Sequence, residues 1–107
     1  MADVDPTSDI QIASAREADG TAVLTVTGDL DLMTAGPVRE AVAAALRAGE
    51  KRLIFELGGL RFIDSAGLAI LIEASSSAES VELRAPSPAV RRAIELTGLG
   101  DILTVVP

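Results

Sequence analysis

Cysteine, histidine, tryptophan and tyrosine are absent from this chain of 107 residues, and phenylalanine occurs only as Phe55 and Phe62. Each absence removes chemistry. Thiolate and imidazole zinc sites, cysteine nucleophiles and Ser-His-Asp triads cannot be assembled. Disulfides are excluded, which fits a cytosolic protein. Without indole or phenol rings, any core must be built from Val, Ile, Leu and Ala. Positive charge is scarce too: nine Lys and Arg stand against sixteen Asp and Glu, a net charge of −7. The only adjacent basic pairs are Lys51-Arg52 and Arg91-Arg92. A basic patch is the footprint of nucleic-acid binding, so that class is disfavoured. No apolar run approaches the roughly 20 residues that span a bilayer. The first eight residues are acidic and polar, the opposite of a signal peptide, and read as a flexible arm ahead of one domain over 9–107. The expectation is a soluble, acidic, cytoplasmic protein that needs no cofactor or metal.

What the chain does contain is apolar substance, 49% of its residues, which argues against disorder and for a core that needs no staples. Ile10 to Arg16 and Thr21 to Thr27 flank the turn Glu17-Ala18-Asp19-Gly20, a hairpin that Gly28 is expected to end. Asp29-Leu30-Asp31 leads to Thr34, an N-cap candidate, with Pro37 in the first turn of the helix that follows. Val38, Val42 and Leu46, with Ala41 and Ala45 beside them, recur at helical spacing until Gly49. Leu53 to Leu57 reads as a buried strand before Gly58-Gly59. A second, largely apolar helix is expected over about 66–77, and a strand over Val81 to Arg84. Ser87 with Pro88 opens a third helix, closed by Gly98 with Leu99 supplying a hydrophobic contact. Ile102 to Val106 is a last strand. The expected order is ββαβαβαβ, an α/β sandwich with a mixed four- to five-stranded sheet and three to four helices.

The run Phe62-Ile63-Asp64-Ser65-Ala66-Gly67-Leu68 joins the end of a buried strand to the second helix. This puts Ser65 at the N-cap, where unpartnered amides and the helix dipole favour a hydroxyl and would also favour a phosphate. Ser65 is therefore either a cap or a phosphoacceptor. Asp29 and Asp31 are too few oxygens for a magnesium or calcium site. If their strand lies beside the one ending at Phe62, they join Asp64 in an acidic patch around the hydroxyl. Gly58-Gly59 and Gly98-Leu99-Gly100 match no phosphate-binding fingerprint. Arg91-Arg92 reads as a solvated helix face, and Ser75 to Ser77 as a polar helix end rather than secondary phosphosites. A hydrolase built on Asp64 and Ser65 is a poor hypothesis, since no base is present to activate the hydroxyl.

Three segments together resemble the STAS-domain anti-sigma factor antagonists, bacterial partner-switching regulators. They are Thr27-Gly28-Asp29-Leu30-Asp31, Phe62 to Leu68, and Pro86-Ser87-Pro88-Ala89-Val90-Arg91-Arg92 running to Thr97-Gly98-Leu99. The resemblance spans about 10–106 and implies a STAS-like fold. It implies a non-enzymatic protein whose unphosphorylated form binds a kinase-type anti-sigma factor and so releases a sigma factor. Phosphorylation of Ser65 by that serine kinase would switch it off, and a metal-dependent serine phosphatase would reset it. Asp31 and Asp64 match the family's acidic neighbours of the phosphoserine, and Thr34, Ala66, Gly67 and Leu68 its partner-contact positions. Two departures are the acidic arm and the Gly36-Pro37 pair at the first helix. The free protein is expected to be a monomer that binds no nucleic acid and inserts in no membrane. An alternative of another class is an unphosphorylated accessory STAS subunit of a transport or lipid-transport complex.

Overall fold

The hairpin forms where the alternation predicts it. In the computed structural model, which describes residues 10–98, 100 and 103–107, β1 (Ile10–Arg16) pairs antiparallel with β2 (Ala22–Leu30), Ile10 opposite Gly28 and Arg16 opposite Ala22. The Asp19 carboxylate accepts the Thr21 amide at 3.0 Å across the turn. That hydrogen bond, ahead of the nearby Arg52, holds the Asp19 carboxyl below its ordinary range.

Gly28 does not end β2. Its φ of 113° lies in the left-handed region that side chains resist. There the register shifts, and the strand runs on to Leu30. Before the shift β2 pairs parallel with β3 (Arg52–Glu56) through Ala22–Thr25. From Gly28 onward, across the shift, β2 pairs parallel with β4 (Leu60–Ile63), which brings the strands among the described residues to six, beyond the four to five expected. The sheet order is β1-β2-β3-β5-β6 with β4 attached to β2 alone, β5 being Ser80–Arg84 and β6 Thr104–Val106. The mixed α/β sheet with three helices stands as expected; the element order becomes ββαββαβαβ. Expected features at 1–8, Leu99 and Ile102 lie outside the described residues.

Among the described residues three helices complete the fold: α1 (Ala35–Arg47), α2 (Ser65–Ser77) and α3 (Pro88–Thr97). Strand alternation sends Leu24 and Val26 of β2, Leu53 and Phe55 of β3, and Val81 and Leu83 of β5 into one core. Val38 and Val42 of α1, Ile70, Leu71 and Ala74 of α2, and Val90 and Ile94 of α3 meet them there. Burying a Val, Leu, Ile or Phe side chain contributes about 1.5–3 kcal/mol, which is how this near-ring-free core holds the layers together. α3 is capped as its sequence predicts. The Ser87 hydroxyl accepts the Val90 amide, Pro88 occupies the first turn and Gly98 closes the helix in the left-handed conformation.

The parallel β2–β4 pair positions the candidate site. Leu30 lies opposite Ile63, and the Asp64 amide donates to the Leu30 carbonyl at 3.1 Å. The loop after β2 and the start of α2 therefore emerge side by side.

Candidate functional site

The cap of α2 is Asp64, not Ser65. β4 carries the chain as far as Ile63, which leaves Asp64 as the first residue off the sheet, with extended backbone. Its carboxylate accepts the amides of Ala66 at 2.9 Å and Gly67 at 3.2 Å, and its carbonyl accepts that of Leu68. An ionised acceptor is a stronger cap than a hydroxyl and also suits the positive helix end. Ser65 becomes the first helical residue. It is exposed, and its hydroxyl has no hydrogen-bond partner among the described residues. Two amides of the kind that cradle a phosphate at a helix N-terminus are thus already occupied.

Asp31 and Asp29 reach the same corner as expected, each with a task of its own. The Asp31 carboxylate accepts the amides of Met33 at 2.9 Å and Thr34 at 3.1 Å, closing the loop back on itself. Asp29, opposite Phe62 in the register, pairs with the Arg61 guanidinium at 3.1 Å. The rim is acidic around Ser65, but one of its three carboxylates is neutralised and two are bound to backbone. Among the described residues, no group of three or more acidic side chains is placed to hold a metal ion.

Two of the four expected contact positions are corrected. Thr34 is only 4% exposed. It stands at the N-cap of α1 without a side-chain cap bond: its backbone is helical rather than extended, and Pro37, three residues on, has no amide to offer. Its hydroxyl instead accepts the Asp31 amide at 2.9 Å and donates to the Asp29 carbonyl at 2.7 Å. Gly67 is buried as well. A Cβ there would lie 2.7 Å from Ile63 Cγ1 and 2.8 Å from Leu30 Cγ, so its bareness lets α2 sit directly on the β2–β4 pair. Ala66 and Leu68 remain half-exposed at the surface.

The residues that do show apolar surface here were missed. Leu32 is 76% exposed, Met33 72% and Phe62 50%. Leu32 and Met33 sit between Asp31 and Thr34 with neither helical nor strand period, which is itself the available signal for a loop apolar pair. Phe62 breaks the alternation of β4, in which Leu60 and Ile63 are buried while Arg61 and Phe62 face out. Large apolar side chains exposed on the strand and the loop that adjoin the start of α2 suit macromolecular docking, where such groups act as anchors. Among the described residues no helix is long and apolar enough to cross a membrane.

Comparison with known proteins bears on the family and the fold. The family model described as "Mlab, STAS domain" matches residues 13–106. An anti-sigma-F factor antagonist, RsfB of Mycobacterium tuberculosis, is 34% identical over 84 residues, covering 76% of this chain and 69% of that protein. An anti-sigma F factor antagonist of Lysinibacillus sphaericus is 32% identical over 85 residues, covering 75% of this chain and 73% of its own length. The crystal structure of an anti-sigma factor antagonist from Mycobacterium paratuberculosis superposes with a TM-score of 0.87 at 30% identity, covering 96% of this chain and 89% of that one.

Proposed function

The chain belongs to the STAS-domain family, and from that premise we propose that it is an anti-sigma factor antagonist switched by phosphorylation of Ser65. The observation that carries this reading is the division of labour between two adjacent residues. Asp64 caps α2, which leaves the Ser65 hydroxyl exposed and uncommitted among the described residues. Unphosphorylated, the chain docks an anti-sigma factor through Leu32, Met33, Phe62 and the half-exposed Ala66 and Leu68, freeing the sigma factor. A phosphate adds about −1.5 to −2 charges to a rim already bearing Asp31 and Asp64. With the Ala66 and Gly67 amides taken, that charge stays on the surface, next to apolar anchors that must shed water to bind. Modification therefore ejects the partner and leaves the fold intact.

The kinase in this scheme is the anti-sigma factor itself, a metal-dependent serine phosphatase restores the hydroxyl, and the exchange runs in the cytoplasm with no catalysis by this chain. A second reading, an accessory subunit that is never phosphorylated, draws its support from the Mlab name of the matching family model. Tagged wild type, Ser65→Ala and Ser65→Glu, each purified from the source organism, separate the two. The switch requires that wild type and Ser65→Ala carry an anti-sigma factor, that Ser65→Glu does not, and that all three unfold at the same denaturant midpoint. Equal recovery of that factor with Ser65→Glu would defeat it.

A further inference from the structure

Two of the largest exposed apolar side chains in the described structure, those of Leu32 and Met33, sit in the middle of one short loop. An unsupported apolar loop would fluctuate and lose ordering entropy each time it bound. This loop is not unsupported. From one side the Asp31 carboxylate accepts the Met33 and Thr34 amides. From the other, the buried Thr34 hydroxyl accepts the Asp31 amide and donates to the Asp29 carbonyl, reaching back into β2. The loop is thereby tied at both ends and bolted to the strand that flanks Ser65. The hydroxyl is available for this because it makes no cap bond to α1, whose third amide is removed by Pro37.

We infer that Thr34 is a positioning residue, whose buried hydroxyl holds Leu32 and Met33 as a preformed apolar prong for the anti-sigma partner. This inference rests on the docking role proposed for the Ser65 rim. Thr34 touches no partner itself and acts through its two neighbours. The occupant follows from place: the prong leaves the sheet beside Asp64 and Ser65, continuous with the surface the phosphate would spoil.

The test compares Thr34→Val, which swaps the hydroxyl for a methyl at nearly constant volume, with Thr34→Ser, which keeps the hydroxyl. One arm reads the order parameters of the Leu32 and Met33 methyl groups in the free protein by NMR. The other reads affinity for the purified anti-sigma-F factor of Mycobacterium tuberculosis, with RsfB as the positive control. The clamp predicts that Thr34→Val lowers both order parameters and weakens binding roughly tenfold, the cost of re-ordering two side chains. Thr34→Ser restores both. In a Leu32→Ala, Met33→Ala background Thr34→Val should weaken binding no further, since the prong it serves is gone. Unchanged methyl order in Thr34→Val overturns the inference, and so does full affinity despite lost order. A wild-type chain that fails to bind a factor RsfB binds counts against the docking reading, and the NMR arm then judges the clamp alone.

Discussion

Two acidic regions of this molecule use the same carboxylate chemistry to opposite ends. On the face of the sheet turned away from the core, Arg84 pairs with Glu17, Glu56 and Glu82, and Arg52 with Asp19. The hydrogen bonds it donates to Glu82 and Glu17 hold the Arg84 guanidinium above even its usual range, so it stays charged. Ile54, buried yet outside the core cluster, lies on that face beneath the ion pairs. At the Ser65 rim, Asp31 and Asp64 serve backbone amides instead, and the large side chains around them face water. Carboxylates spent on arginines close a surface. Spent on amides, they stiffen a surface, keep their charge, and leave apolar groups open to a partner. The difference separates an acidic patch that finishes the fold from one arranged to meet something.

Substitutions can break or sharpen this contrast. Gly67→Val should have the largest effect. Its Cβ would overlap core carbons of Leu30 and Ile63 rather than loose side-chain ends, and overpacking of this kind costs about 1–3 kcal/mol. Urea denaturation should show that loss, and a neutral outcome would mean that α2 does not rest directly on β2 and β4. Asp64→Ala follows. Loss of the cap should lower stability by about 1 kcal/mol, while Ser65→Ala should stay within about 0.5 kcal/mol of wild type. Reversal of that ranking would return the cap to Ser65. Arg84→Met comes last: its pairs are part-exposed, so thermal unfolding should shift by less than about 1 kcal/mol and less so at high salt. Partner binding should not change at all. A binding defect in Arg84→Met would erase the distinction between the two regions.

Much of this was legible in the sequence because it is local. Ser87, Pro88 and Gly98 mark the ends of α3 by chemistry that needs no tertiary context. The placement of Asp29 and Asp31 beside Asp64 followed once their two strands were taken as neighbours. Other features turned on what lies across the sheet. Asp64 and Ser65 are both good caps, and only the length of β4 decides between them. Gly28 reads as a stop, yet here it is a bend in a strand that changes partners. Thr34 reads as a surface cap, but its hydroxyl turns inward to the Asp29 carbonyl. The exposure of Leu32, Met33 and Phe62 left only the faintest trace, since apolar side chains are ordinarily assigned to a core.

The most direct test of the central claim takes the protein from its own host and separates free from complexed molecules by size-exclusion chromatography. Mass spectrometry then maps phosphate in each pool. Phosphate is expected at Ser65 in the free pool, and an anti-sigma factor bound only to unmodified chain in the complexed pool. Phosphoserine 65 present in that complex, or no phosphate at Ser65 under any growth or stress condition, would contradict it.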